Sequence, residues 1–83
     1  MPHFMDVHTE MKGITKQQLE EAHRADQKLE KAEKVHFIKA WADPKTGRVF
    51  CLSEAPNREA VQRVHERAGH KPNEIYEVPL STE

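Results

Sequence analysis

Six histidines in 83 residues carry most of the chemical content of this chain. Around His3, His8, His23, His36, His65 and His70 stand the carboxylates Asp6, Asp26 and Glu54. Neutral imidazoles and carboxylates suit zinc, copper, iron or nickel, with nickel(II) expected in a tetragonal or octahedral N,O site. His23 and Asp26 are three residues apart, so on a helix they lie side by side. At about 100° per residue, Asp26 falls between Leu19 and Ala22 on the apolar stripe, where a lone carboxylate is costly. His23 flanks Leu19 at the stripe's edge, and His65 flanks Val61 in the same way on a later helix. A buried carboxylate beside an edge imidazole needs a cation, a hydrogen-bond donor or a metal.

The competing readings are plainer. A single His is more often a surface or hydrogen-bonded structural residue than a ligand. Asp26 has Arg24, Lys28 and loop N–H groups as alternative partners. Cys51, between Phe50 and Leu52, reads as a small core hydrophobe, because no cationic neighbour would activate its thiol. No helix carries a His-x-x-x-His pair, and the step from His65 to His70 ends beyond a glycine. There is no Gly-rich phosphate loop, nucleophile elbow or Ser-His-Asp order, so no catalytic residue is assigned.

The elements that must position these groups follow from local signals. His3 to His8 is long enough for one strand. Thr15 followed by Gln18 is a capping box, with Ile14 and Leu19 at the staple positions, and it predicts a helix running to about Lys34. Val35 to Ala42 is rich in strand formers. Asp43-Pro44-Lys45-Thr46-Gly47 is a turn, and Arg48 to Glu54 is the returning strand. Asn57 is the expected N-cap of a second helix whose inward stripe is Ala60, Val61, Val64 and Ala68. Gly69 suits the left-handed position after it. Glu74 to Leu80 forms the last strand. The order is βαββαβ, in one domain over residues 1–83.

Composition narrows the function further. Lys and Arg number 13 against 14 Asp and Glu, a net charge of −1, which leaves no basic excess for nucleic acid. Cys51 is the one cysteine, which excludes an internal disulfide and a zinc site built on cysteine pairs. No apolar run approaches the length of a membrane span, and Asp6 and Glu10 interrupt the start of the chain, so a cytoplasmic protein is expected.

The element order has a geometric consequence. Right-handed crossovers place both helices on one face of a four-stranded antiparallel sheet. Val49-Phe50-Cys51-Leu52 is apolar at four consecutive positions, and Phe37-Ile38 and Ala40-Trp41 are adjacent apolar pairs. Apolar side chains therefore point both ways, and the helix-free face needs a cover, most simply a second copy of the chain. The same topology brings the end of the second helix near the end of the first strand. His8 and His65 are expected to meet there, with His23 on the facing helix.

Several segments also resemble a known family. They are Phe4-Met5-Asp6-Val7-His8, Ala22-His23-Arg24-Ala25-Asp26, Trp41-Ala42-Asp43, the run Val49 to Pro56, Val64-His65-Glu66 and Glu74 to Val78. In this order they resemble the small bacterial nickel-binding proteins of ferredoxin-like fold known from Streptomyces, long filed as a domain of unknown function. The resemblance implies an α+β sandwich dimerising through its helix-free face and binding nickel, or another divalent transition metal. The motif residues fall on Asp6, His8, His23, Asp26, Glu54 and His65. Sequestration, delivery or sensing of the metal is then the expected role. The alternative is an oxygenase-like enzyme of the dimeric α+β barrel type, with His23, Asp26 and His65 as acid–base groups around a small-molecule pocket.

Overall fold

The computed structural model describes residues 1–82. Its elements are β1 (His3–His8), α1 (Lys16–Gln27), α2 (Glu30–Glu33), β2 (His36–Asp43), β3 (Arg48–Glu54), α3 (Arg58–Arg67) and β4 (Glu74–Glu77). The four strands form one antiparallel sheet in the order β2-β3-β1-β4. That order, with the βαββαβ succession, is the ferredoxin-like arrangement.

α1 begins where the capping box predicts. The Thr15 hydroxyl accepts from the Gln18 N–H at 3.1 Å, and the Gln18 side chain accepts from the Thr15 N–H at 3.0 Å. The helix does not run to Lys34 as expected. It stops at Gln27, and a separate short helix, α2, follows. Tertiary contacts account for the break. Leu29 turns in to pack on the core, and the Glu30 carboxylate accepts the Phe37 N–H at 2.6 Å at the start of β2. Glu33 accepts from Arg63 and Arg67, tying α2 to α3. Lys34, in the left-handed region at φ 59°, ends the short helix. β4 is likewise shorter than expected. Val78 still donates to His3, but Pro79 has no N–H to extend the ladder.

Alternation sorts the sheet into two faces. Under the helices, Phe4, Phe37 and Ile75 pack with Val35, Val61 and Val64 of the core, while Val49 and Cys51 pack with Ile14. Between Phe37 and Lys39 the register shifts, and this bulge accommodates the adjacent apolar pair Phe37-Ile38. On the other face, Phe50 and Leu52 alternate with the buried positions of β3. There Ile38, Trp41 and Tyr76 stay 40 to 51% exposed.

The β2–β3 turn is pinned against the loop before α1. Gly47 takes φ +80°, and its carbonyl accepts the Met11 N–H at 2.9 Å. A Cβ there would lie 2.7 Å from the Lys12 nitrogen. Gly13 also has positive φ, at +79°, but open space around it. Gly47→Ala is therefore expected to destabilise the fold by about 2 kcal/mol or more, against about 1 kcal/mol for Gly13→Ala. Urea midpoints of the two variants check this order.

Candidate metal centre

The centre is assembled from both ends of the fold. On β1 the inward positions are Phe4, Asp6 and His8, and Asp6 pairs with Cys51 of β3 and Ile75 of β4. Above this row lie the last turn of α1, carrying Asp26, and the last turn of α3, carrying His65. Asp6 and His65 are completely buried, and Asp26 is the one buried residue of α1. Gly69, at φ +92°, then reverses the chain, and the His70 N–H donates to the His65 carbonyl. This reversal sets the His70 ring over the His65 ring at 5.2 Å.

The side chains form one cluster, in which the rings of His8, His65 and His70 lie 5.0 to 5.5 Å from one another. His8 Nε2 lies 3.1 Å from Asp6 Oδ1. Asp6 Oδ2 accepts from His65 Nε2 at 2.7 Å. His65 Nδ1 lies 3.2 Å from Asp26 Oδ1, and that same oxygen accepts from His70 Nε2 at 2.9 Å. Potential ligand atoms of Asp6, His8, Cys51 and His65 all lie within 4.8 Å of one another, as do those of Asp26, His65 and His70.

Of the residues singled out in the sequence, the structure thus brings together Asp6, His8, Asp26 and His65. His23 stands outside both groups. Its ring meets Phe37 edge-on at 6.5 Å, and its Nδ1 is buried without a partner. Glu54 lies at the other end of β3, opposite His3 in register and paired with it at 3.1 Å. Two members were not in the favoured set. Cys51, read as a core hydrophobe, is that and also the cross-strand neighbour of Asp6. His70 was the residue just past the helix, and the glycine before it was the signal that the chain folds back.

Electrostatics hold the metal-free centre in a definite protonation state. Burial alone would drive the His65 pKa down, but the approach of Asp26 and the hydrogen bond to Asp6, with their charges, raise it to about 9. Burial opposes ionisation of both carboxylates too. His65 and His8 overcome this at Asp6, and His65 and His70 at Asp26, so both carboxyls stay below the usual range. Burial pushes the Cys51 thiol far up, and the Asp6 and Asp26 charges add to it. Cys51 is therefore a neutral thiol, not a nucleophile.

The donor set fits a transition-metal ion. Asp6 Oδ1, His8 Nε2 and His65 Nδ1 are buried with no aligned hydrogen-bond partner, although each faces a polar atom at 3.1 or 3.2 Å. Leaving such groups unsatisfied costs about 1–3 kcal/mol each. These contacts are ion pairs without aligned hydrogen bonds, and once His65 gives up its proton the same carboxylates and imidazoles can turn their lone pairs to a cation. Beside the centre, a cavity of about 50 Å³ is lined by Ile14, Leu19, Ala22 and His23 together with His8 and Asp26. Organic ligands generally occupy about 300–1,000 Å³. An adjoining open cleft of about 260 Å³ shares Leu19, His23 and Ala40 with the cavity.

A pH dependence follows. The stability contributed by His65 is complete below its unfolded value of 6.5 and is lost as pH rises through about 9. That from Asp6 and Asp26 is complete above 3.8 and is lost as pH falls through their lowered folded values. Thermal scans of metal-free protein should give the highest melting temperature between about pH 4 and 6.5, declining toward pH 9. A flat profile across the alkaline half of that range would contradict a charged His65.

The chain is similar to known proteins over nearly its whole length. The family described as "Nickel responsive protein SCO4226-like" matches residues 4–78. A solved structure, "Crystal structure analysis of SCO4226 from Streptomyces coelicolor A3(2)", is 66% identical with a TM-score of 0.94. The match covers 96% of this chain and 99% of that one. No curated protein matches the chain.

Proposed function

The chain belongs to the SCO4226-like family of nickel-responsive proteins, and from that premise we propose that it binds nickel(II) as cargo at the buried His–Asp centre. Asp6, His8, Asp26, His65 and His70 are the proposed ligands, with Cys51 as a further donor beside Asp6. The observation that carries this reading is the set of three unpartnered buried polar atoms within one group of ligand residues. His23 and Glu54 are left out of the ligand set because they lie apart from it. Holding the ion for sequestration, delivery or sensing, rather than transforming a substrate, fits a centre whose ligand residues are mostly buried.

Nickel must displace the proton that His65 holds. Because the imidazolium persists to about pH 9, affinity should keep rising through neutral pH rather than levelling near 6.5. Calorimetry near pH 7 in buffers of different ionisation enthalpy should report about one proton released per nickel. Asp6→Asn should weaken binding by about tenfold or more, while His23→Ala leaves it unchanged. Unaltered uptake by Asp6→Asn, with folding verified by circular dichroism, would remove the centre from consideration.

The proposed functional unit is a symmetric homodimer joined through the helix-free sheet face. Ile38 and Trp41 on that face are 41% and 40% exposed in the single chain, which favours a second apolar surface over them. Light scattering at micromolar concentration should return twice the chain mass, and Trp41→Glu should return the monomer with the fold intact. A monomeric unmodified chain is the contrary result.

A further inference from the structure

We propose that the cleft between α1 and the sheet binds a free α-amino acid with a short aliphatic side chain, valine first. Glu20, His23 and Arg24, which hold the charged end of this ligand, all lie outside the proposed nickel set, so the site stands whether or not nickel binds. It has two compartments that share Leu19, His23 and Ala40. The inner one is the cavity of about 50 Å³, walled by Ile14, Ala22, Val49 and Cys51, with Asp26 and two imidazoles of the metal centre also bordering it. The outer one is the open cleft of about 260 Å³, bordered by Glu20, Arg24 and Gln27. His23 stands between them, with its Nδ1 buried and unpartnered. A buried polar atom left unmet is costly, so a ligand that hydrogen-bonds to it gains affinity.

Size and charge together select the ligand. An apolar cavity of about 150 Å³ holds benzene, so one of about 50 Å³ holds roughly two to four carbon atoms. That matches the side chain of valine or leucine and excludes an aromatic ring. The rim carries one anion and one cation. His23 and Arg24 follow Glu20 by three and four residues on α1, so all three share one face of the helix. Among the described residues, neither Glu20 nor Arg24 is engaged in an ion pair. A neutral ligand leaves both charges unused, and a monocarboxylate meets Arg24 but is repelled by Glu20. A zwitterion meets both. Its ammonium lies against the Glu20 carboxylate and donates to His23 Nδ1, with the ring proton on Nε2. Its carboxylate accepts from the Arg24 guanidinium. Its side chain passes between Leu19 and Ala40 into the cavity, covering apolar surface that the core leaves partly exposed.

The test is a titration of metal-free, nitrogen-labelled protein with L-valine, followed by two-dimensional NMR. Saturable shifts are expected at the amides of Leu19 to Arg24 and of Ala40. Valine should bind about fifteenfold more tightly than alanine, at about fourfold for each further buried carbon. 3-Methylbutanoate, which lacks the ammonium, should bind about tenfold more weakly than valine or worse. 2-Methylpropylamine, which lacks the carboxylate, should lose about fivefold, as should valine on the Arg24→Gln variant, altered at an exposed position. Ala22→Leu fills the cavity and should abolish valine binding; should that variant misfold, Arg24→Gln and the ligand series still decide. No saturable shift at millimolar valine would overturn the site. Equal binding of valine and 3-methylbutanoate, or undiminished binding by folded Ala22→Leu, would overturn it as well. None of these outcomes bears on nickel uptake, which is measured separately.

Discussion

The structure turns on one buried side chain held between two carboxylates. His65 has no solvent exposure, and its ring nitrogens face Asp6 on β1 and Asp26 on α1. Removing these groups from water is expensive, and only their mutual proximity offsets that cost. Taking away one partner would leave an uncompensated charge inside, a loss of about 3–5 kcal/mol for buried pairs. Sheet, first helix and third helix are therefore locked to one another at a single point. Elsewhere this small core offers mainly Val, Ala and Phe contacts.

Much of the surrounding architecture serves that point. Asp26 sits in the last turn of α1, and its carbonyl accepts the Leu29 N–H as the chain turns away. Stopping α1 there lets Leu29 reach the core and lets the Glu30 carboxylate accept the Phe37 N–H at the start of β2. The Glu33 pairs with Arg63 and Arg67 then hold α3 in place, although they are too exposed to add much stability themselves. At the far end of α3, the left-handed Gly69 returns His70 to the same carboxylate that meets His65. The break after α1 and the reversal at Gly69 thus both bear on the centre.

The same groups define two alternative states. Without metal, the His65 proton mediates between Asp6 and Asp26 and stabilises the fold. In the proposed loaded state, metal replaces that proton. An apolar core of equal volume would serve stability as well or better. A buried polar centre that leaves three atoms unpartnered is more consistent with binding than with folding. Ferredoxin-like sheets host many functions, so the conclusion rests on these side chains rather than on the fold.

By itself the sequence determined the parts whose causes are local. The capping box at Thr15, the turn at Asp43 to Gly47 and the Asn57 cap announce their elements, because neighbouring residues supply the hydrogen bonds. Asp26 could be read as a site residue for the same reason, since a carboxylate on an apolar helical stripe is anomalous within its own helix. What only the tertiary structure decided depends on partners distant in the chain. The break after Gln27 is made by Glu30 meeting Phe37 and Glu33 meeting α3. The pairing of Asp6 with Cys51 comes from strand register, and it separates Glu54 from the centre by placing it opposite His3. His23, one turn from Asp26, falls outside because helix rotation turns its ring toward Phe37. His70 falls inside because a single left-handed residue reverses the chain onto it. Spacing along a helix shows which residues share a face, but the docking of that helix on the sheet decides which of them converge.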